Sequence, residues 1–221
     1  MRRGALLGLL LALGAAAPGA GAAELTGRLQ LGEGGRPAAG ADQAVVWFEP
    51  DRPVRRPAAR EVEMTTARKR FEPRVLVVPV GSTVRFPNRD PILHNDFSVS
   101  GRNAFDLGLL GSGEGGEARF VEAGVVRVFC NVHHRMVGYV VVLDTPFSAV
   151  PAADGSFRIA GLPEGPGELV AWHERGEPVR RRVDIAAGTS ASLRLVLTRP
   201  LVPVHMNKFG RPYERSRRDR Y

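Results

Sequence analysis

The sequence predicts an all-β protein built from antiparallel sandwiches, and two observations predict this class. Short runs rich in Val, Ile, Leu and Phe recur along the chain, and turn-forming stretches such as "PVGST", "GSGEGG" and "ADGS" separate them. Helical patterns are nearly absent after the first 23 residues. Many short strands with Gly/Pro turns and no helical crossovers are typical of sandwiches. The predicted strands are 25–31, 44–48, 74–80, 83–86, 117–121, 125–130, 137–143, 157–159, 168–172, 179–185 and 192–197.

The opening residues, "MRRGALLGLLLALGAAAPGAGAAE", precede this β pattern. Two arginines are followed by a short apolar run and then by small residues, which is typical of a cleaved secretory signal over residues 1–23. A membrane anchor would need about 18 or more continuous apolar residues, and here Gly and Pro break the run too early. We therefore expect an exported, periplasmic protein without a transmembrane anchor.

The formal charge is +8, from 31 Lys and Arg against 23 Asp and Glu, and much of the excess lies at the C-terminal end. We interpret 201–221 as a basic tail, either disordered or draped as an arm over the body. Basic runs can mark nucleic-acid binding, but export argues against that role. Such a charge would instead attract an acidic partner or anionic lipid headgroups. The bases after residue 198 are Arg199, Lys208, Arg211, Arg215, Arg217, Arg218 and Arg220.

The single cysteine, Cys130, stands in "VFCNVHHRMVGYVVV". One cysteine cannot form an internal disulfide, and exported proteins that depend on disulfides carry several. A lone exposed thiol in an oxidising compartment is open to oxidation. We therefore expect a protected role for this thiol.

Three further residues complete a set of soft-metal donors around Cys130. His133 and Met136 lie in the turn after the cysteine strand, and His94 lies 36 residues upstream at the end of another predicted strand. Two imidazoles and a thiolate, with a weak axial thioether, define the blue-copper electron-transfer site. Thiolate and thioether favour Cu(I), whereas imidazole accommodates Cu(II).

The two segments that carry these residues are "FEPRVLVVPVGSTVRFPNRDPILHNDFSV" and "GVVRVFCNVHHRMVGYVVV". They resemble the plastocyanin, pseudoazurin and amicyanin group of the cupredoxins over residues 70–145. The resemblance implies a Greek-key β-sandwich that holds one type 1 copper ion. It also implies that His94 and His133 supply imidazole ligands, Cys130 the thiolate and Met136 the axial thioether.

Two neighbouring residues are read from the same resemblance. Asn95 matches the residue after the first histidine, which implies that it braces the ligand loops. His134 departs from the Cys-x-x-His-Pro form expected in relatives. We interpret it as a surface residue at a partner-docking edge, with competition as a ligand as the alternative.

Other metal and catalytic sites do not fit the residues. A binuclear copper centre needs two cysteines, and a multicopper oxidase has a histidine directly before the cysteine, where this chain has Phe129. Structural zinc usually closes four Cys/His ligands. A cysteine hydrolase would not place its Cys and His in one short turn beside a methionine.

The segments before and after this region show a different pattern of strands and turns. "ADGSFRIAGLPEGPGELVAWHERGEPVRRRVDIAAGTSASLRLVL" resembles the second half of a carboxypeptidase-regulatory-like, transthyretin-like β-sandwich, and "LTGRLQLGEGGRPAAGADQAVVWFEP" has the shape of its first half. Either 24–50 and 146–200 form one discontinuous sandwich around an inserted cupredoxin, or the N-terminal strands join the cupredoxin sheet. The predicted division is 1–23 signal peptide, 24–69 N-terminal β segment, 70–145 cupredoxin domain, 146–200 accessory sandwich and 201–221 tail.

These patterns predict an exported mononuclear blue-copper protein that carries single electrons and is not an enzyme. Its partner is expected to be a c-type cytochrome or a periplasmic dehydrogenase. The combination resembles proteins labelled methylamine utilisation, a label that does not identify the partner. A copper-binding or delivery protein is the alternative, supported by His134, His205 and Met206. "AWHERG", with His173, is interpreted as structural.

Overall fold

The structure, a computed structural model, describes residues 23–200 and 205–213. Within these residues the fold is all-β, as predicted, and the helical pieces are two three-residue 3₁₀ turns, Ala41–Gln43 and Gly101–Asn103. None of the helices in this part of the chain has the length and apolar character needed to cross a membrane. The predicted signal peptide (1–23) lies outside the described residues except for Ala23.

Eighteen strands build four sheets and a separate hairpin in the described part of the chain. The strands are β1 Ala23–Glu33, β2 Arg36–Ala38, β3 Val45–Pro50, β4 Glu61–Glu63, β5 Thr65–Ala67, β6 Arg70–Glu72, β7 Val75–Pro79, β8 Thr83–Pro87, β9 Asp96–Ser98, β10 Phe105–Asp106, β11 Gly115–Arg119, β12 Gly124–Cys130, β13 Val137–Leu143, β14 Ser148–Ala149, β15 Ser156–Leu162, β16 Gly165–Trp172, β17 Val179–Ile185 and β18 Ser190–Val196.

The first and last thirds of the body form one sandwich, which we call the split sandwich (β1–β3 and β14–β18). One of its sheets has the order β15-β1-β18, with β2 on β1, and the other has the order β14-β3-β16-β17. β1 pairs antiparallel with β15 and parallel with β18, and β3 pairs antiparallel with β14 and β16. The core between the sheets is apolar, and its largest fully buried members are Leu25, Leu29, Phe48, Ile159, Leu162, Leu169, Ile185 and Leu195.

The intervening chain forms the central sandwich (β4–β13). Its larger sheet has the order β10-β9-β12-β13-β7, and its smaller sheet has the order β11-β8-β4. β4 pairs parallel with β8, so this sandwich takes in residues before the predicted boundary at 70. β5 and β6 form a hairpin beside it. The core between the two sheets includes Met64, Val78, Val84, Phe86, Phe120, Val126, Val128, Cys130, Met136, Val140 and Val142.

A third apolar layer joins the two sandwiches. In "VVWF" of β3, alternate side chains face opposite sides, so Val46 and Phe48 enter the split-sandwich core while Val45 and Trp47 face β13. All seven residues of β13 are buried for the same reason. Strands buried on both faces read as continuous apolar runs rather than alternating ones. The joining layer contains Val45, Trp47, Phe97, Phe129, Val137, Tyr139, Val141, Leu143, Val170 and Trp172.

The central sandwich brings three chain segments together at one end. β12 ends at Cys130, and the loop 131–136 returns the chain to β13. β9 begins two residues after His94 and pairs with β12, with Cys130 opposite Asp96. His94 also forms an isolated bridge with Leu110. The register therefore places the predicted donors side by side.

Candidate metal centre

Three predicted ligands converge on one point. His94 Nδ1 lies 3.5 Å from Cys130 Sγ, His133 Nδ1 lies 3.8 Å from the same sulfur, and the two Nδ1 atoms are 3.2 Å apart. His94 and Cys130 are fully buried, and His133 is half-buried. Among the described residues, this is the one cluster of three or more His, Cys, Asp or Glu groups that could hold a metal ion.

The spacing of the three donors fits a single soft metal ion. Metal–nitrogen bonds of about 2.0 Å and metal–sulfur bonds of about 2.3 Å would place the donors of a trigonal site roughly 3.5–3.7 Å apart. The separations of 3.2, 3.5 and 3.8 Å bracket these values. Two imidazoles with one thiolate are the trigonal donors of a blue-copper centre. The residues present therefore fit copper.

A carboxylate sets the tautomer of His94. Its Nε2 lies 3.0 Å from Asp90 Oδ2, and a carboxylate accepts hydrogen bonds rather than donating them. The ring proton therefore sits on Nε2, and Nδ1 presents its lone pair to the cluster. Burial lowers the pKa of His94 and outweighs the opposing effect of Asp90, while the charge of Lys69 lowers it further. The ring is therefore neutral at neutral pH, as a metal ligand must be.

The hairpin between β5 and β6 holds Asp90 in turn. The backbone N–H groups of Arg68 and Lys69 donate to the two carboxylate oxygens at 2.5 and 2.8 Å. Both residues have positive φ, 54° and 55°, which directs consecutive N–H groups the same way. Burial alone would raise the pKa of Asp90, but these amides and His94 bring it below its usual value. The carboxylate is therefore ionised, and its position is fixed from two sides.

The thiol of Cys130 lies in a largely apolar pocket. Burial raises its pKa, while the backbone N–H groups of Asn95, His133 and Val132 favour the thiolate and oppose the shift. Amide donors around a sulfur stabilise negative charge without adding a counter-ion. Since a metal binds the thiolate, uptake of a metal ion releases a proton here.

Met136 lies beside this cluster. Its side chain is 2% exposed and belongs to the same apolar cluster as Cys130. The loop is closed by its backbone, because Met136 donates to the His133 carbonyl at 2.9 Å and accepts from the Cys130 N–H at 3.3 Å. The tight turn returns the chain to the apolar core at Met136, in the same buried cluster as Cys130.

Asn95 connects three loops of the site. Its side-chain amide donates to Asp106 Oδ1 at 2.6 Å and to the Gly108 carbonyl at 2.7 Å. Its backbone carbonyl accepts the Asn131 N–H at 3.0 Å, which ties the His94 segment to the cysteine loop. These contacts link the His94 segment to the loop 106–108 and to the cysteine loop.

His134 is not one of the three converging donors. Its ring lies against that of Tyr213, with centroids 3.6 Å apart, at the edge of the cysteine loop. His205 is also elsewhere, stacked on Phe129 with centroids 3.9 Å apart and rings nearly parallel at 11°. The segment 205–213 of the predicted tail thus lies against the site.

Two acidic residues of the site have no counterpart among the sequence predictions. Asp90 stands four residues before His94 in "RDPILHN", a spacing that could have suggested a partner. Asp96 is buried opposite Cys130, and among the described residues its carboxyl group accepts a hydrogen bond only from the Thr66 hydroxyl, at 3.2 Å. Burial raises the pKa of Asp96 to about 7. In "DFSV" (96–99) polar and apolar residues alternate, a pattern that would place Asp96 on the exposed face of its strand. The sequence therefore did not indicate that Asp96 is buried.

The structure is thus a β-sandwich that brings two histidines and one cysteine together at one end, in a cluster that could hold a metal ion. No protein-family model and no curated protein matches the chain. Among solved structures, an amicyanin variant in its reduced state is 30% identical and covers 38% of this chain and 82% of its own, with a TM-score of 0.36. A purple cupredoxin from Nitrosopumilus maritimus is 29% identical and covers 37% and 99%, with a TM-score of 0.34. A Cu(I) amicyanin variant is 26% identical and covers 46% and 99%, with a TM-score of 0.35.

Proposed function

We propose that the protein is an exported, periplasmic carrier of single electrons that holds one type 1 copper ion. The observation that carries this proposal is the convergence of His94 Nδ1, His133 Nδ1 and Cys130 Sγ within 4.8 Å of one another. Copper bound there supplies a one-electron couple between Cu(II) and Cu(I). Met136 is the proposed axial thioether, because it is the buried methionine on the same loop.

The chain's own residues prepare this site before any metal arrives. Asp90 holds the Nε2 proton of His94, so that Nδ1 needs no rearrangement to bind. Asn95 and the short loop 131–136 fix the distance between the His94 segment and the cysteine. A frame that changes little between two charge states lowers the reorganisation that accompanies electron transfer.

Of the three donors, one is expected to lose a proton when copper binds. The raised pKa of Cys130 means that the thiol keeps its proton in the metal-free protein at neutral pH, and binding of copper releases it. The lowered pKa values of His94 and His133, due first to burial, mean that neither ring must lose a proton. We infer that copper binding releases one proton at neutral pH.

The proposed role is that of a carrier rather than an enzyme, with a c-type cytochrome or a periplasmic dehydrogenase as partner. The three donors lie in a tightly packed end of the sandwich, and the one partly exposed donor is His133. Such a position favours entry and exit of an electron over binding of a substrate to the metal.

The test is the visible absorption and EPR spectrum of the full-length protein loaded with Cu(II), compared with Cys130→Ser and His134→Gln. We expect an intense thiolate-to-copper band with narrow copper hyperfine splitting, lost in Cys130→Ser and kept in His134→Gln. A pale tetragonal spectrum in the unmodified protein would contradict the proposal. Reversible voltammetry with copper retained separates a carrier from a delivery protein, since delivery predicts ready loss of Cu(I) to a chelator.

A further inference from the structure

The segment 205–213 adds a fixed turn to the surface beside the metal centre. Asn207 organises it, because its Oδ1 accepts the N–H groups of Phe209 and Arg211 at 2.9 and 3.0 Å. Its backbone N–H donates to the Arg211 carbonyl at 2.8 Å, and its carbonyl accepts the Gly210 N–H at 2.9 Å. Four hydrogen bonds within five residues make a compact turn, which we call the arm turn (207–211).

The arm turn is attached to the loops that carry the donors. The backbone N–H of Lys208 donates to Asn131 Oδ1 at 3.3 Å, directly after Cys130 in the chain. The Lys208 ammonium pairs with Asp106 Oδ2 at 2.8 Å, and the other oxygen of that carboxylate holds Asn95. The arm is therefore linked through one residue to both sides of the site.

Aromatic contacts hold the two ends of the segment. His205 stacks on Phe129, which precedes Cys130, and the Tyr213 ring lies tilted against the His134 ring. The His205 and Tyr213 rings also meet edge to face, with centroids 5.3 Å apart. Since aromatic contacts and one ion pair fix the segment, it is part of the surface rather than a free tail.

The arm turn and the residue before it expose large apolar side chains to solvent. Phe209 is 72% exposed and Met206 is 53% exposed, while the flanking Arg211 is exposed and enters no ion pair among the described residues. Exposed aromatic and methionine side chains beside a cation are typical of protein-interaction surfaces rather than of ordinary surface.

The surrounding loops have the same character. Exposed apolar side chains occur next to the donors in sequence, at Leu93 and Val132. Lys69 and Arg135 are exposed, and neither enters an ion pair in the part of the chain that the structure describes. Lys69 is near enough for its charge to act on both His94 and His133. The donor end of the central sandwich is therefore apolar and ringed by unpaired positive charge.

We propose that the arm turn, with Phe209 at its tip and Arg211 beside it, is a docking element for an acidic redox protein that presents an apolar patch rimmed by carboxylates. The charge complementarity of Lys69, Arg135 and Arg211 selects the acidic partner, and Phe209 anchors it. This inference rests on the proposed electron-transfer function and adds the place and chemistry of docking. Hot spots of such interfaces are enriched in aromatic residues and arginine.

The first experiment does not depend on copper. Hexacyanochromate(III), a redox-inert paramagnetic anion, is added to the copper-free full-length protein, and line broadening of backbone amide signals is recorded by NMR. We expect the largest broadening at Lys69, Arg135 and residues 209–211, and its loss at the arm turn in Arg211→Glu. Uniform broadening over the surface, or broadening centred on the split sandwich, would overturn the proposed surface.

The second experiment measures electron transfer from the Cu(I) protein to a c-type cytochrome of negative net charge at low ionic strength. Phe209→Ala and Arg211→Glu are each expected to lower the second-order rate constant roughly tenfold. Arg36→Glu is the matched control, because Arg36 is exposed on β2 in the outer sheet of the split sandwich. A cytochrome of positive net charge should react more slowly than the acidic one.

The two readouts separate the possible failures. If the arm variants react as fast as the unmodified protein, or if Arg36→Glu slows the reaction as much as Arg211→Glu, the docking element is wrong. If no blue copper forms but the anion still maps to the arm turn, the proposed function fails while the charged surface stands. An unchanged visible spectrum in Phe209→Ala and Arg211→Glu confirms that neither variant has altered the metal site.

Discussion

Each sandwich contains a buried histidine. The two rings differ in how many of their nitrogens are hydrogen-bonded to the surrounding protein. In the split sandwich, His173 Nδ1 accepts the Arg175 N–H at 3.1 Å, and its other nitrogen faces the Gly40 carbonyl. In the central sandwich, His94 gives Nε2 to Asp90 and leaves Nδ1 facing Cys130 Sγ. Both rings are almost completely buried, at 3% and 0% exposure.

The neighbours of the two histidines differ in the same way. Glu174, beside His173, makes a two-pronged ion pair with Arg74 at 2.7 and 2.8 Å. This pair links the split sandwich to the central sandwich. The Asp90 carboxylate, by contrast, accepts hydrogen bonds from the His94 ring and from two backbone N–H groups. Burial of a histidine therefore does not mark a site. A ring nitrogen that the fold leaves facing other donors does.

Exchanging each histidine for glutamine gives the largest expected contrast. His94→Gln should lower copper affinity by more than the roughly 10–100-fold that loss of a partner to a metal-binding histidine costs, because a ligand itself is removed. His173→Gln should leave copper affinity and the visible spectrum unchanged. Competition titration with a chelator measures both. Equal losses of affinity in the two variants would remove the distinction between the rings.

A change at Asp90 tests how the fold selects the free nitrogen. Asp90→Asn should lower copper affinity by roughly 10–100-fold, since the amide no longer fixes the Nε2 proton by charge and gives up ionised contacts to Arg68 and Lys69. Nitrogen-15 NMR of the His94 ring in the copper-free protein should then show a mixture of tautomers. Asp154→Asn, an exposed aspartate of the split sandwich, is the control and should change neither quantity.

The smallest expected effect is a pH dependence at His173. Burial lowers its pKa below 6.5, so the unfolded chain takes up a proton more readily than the folded one. The stability that the neutral ring contributes is present above about pH 6.5 and is lost as the pH falls through the lowered pKa.

Denaturant unfolding of the copper-free protein at pH 7.5 and pH 5.0 checks this. His173→Gln should lower the free energy of unfolding by about 1–3 kcal/mol at pH 7.5, through loss of buried hydrogen bonds, and by less at pH 5.0. A larger loss for His173→Gln at the lower pH would contradict the assigned direction of the shift.

The sequence was sufficient for the parts of the molecule that depend on local pattern. Apolar runs and Gly/Pro turns predicted the all-β class, and Cys130, His133 and Met136 lie within one short loop, where spacing constrains geometry. Placing His94 near Cys130 required knowing that the strand after His94 pairs with the cysteine strand. The resemblance implied this pairing, and the structure shows it between β9 and β12.

What the sequence did not reveal depends on contacts between distant segments. Asp90 is held by amides of a turn about twenty residues earlier, and positive φ at Arg68 and Lys69 is not signalled by glycine or asparagine. The choice between two positions for the N-terminal strands was open for a similar reason. β1 and β3 suit any apolar partner sheet, and their pairing with β15, β16 and β18 joins parts of the chain that are far apart in sequence.

The apolar layer between the sandwiches has a mechanical consequence. β13 carries the chain away from Met136, and its outward face, with Tyr139 and Val141, is covered by Trp47 and Trp172 of the other sandwich. The donor loop thus leads into a strand that packs against both sandwiches. Loosening of either half should therefore disturb the donor loop. A fragment of the central sandwich alone would expose the outward face of β13 to water. We expect the protein to melt in a single cooperative transition, because the split sandwich covers the strand that leads out of the donor loop.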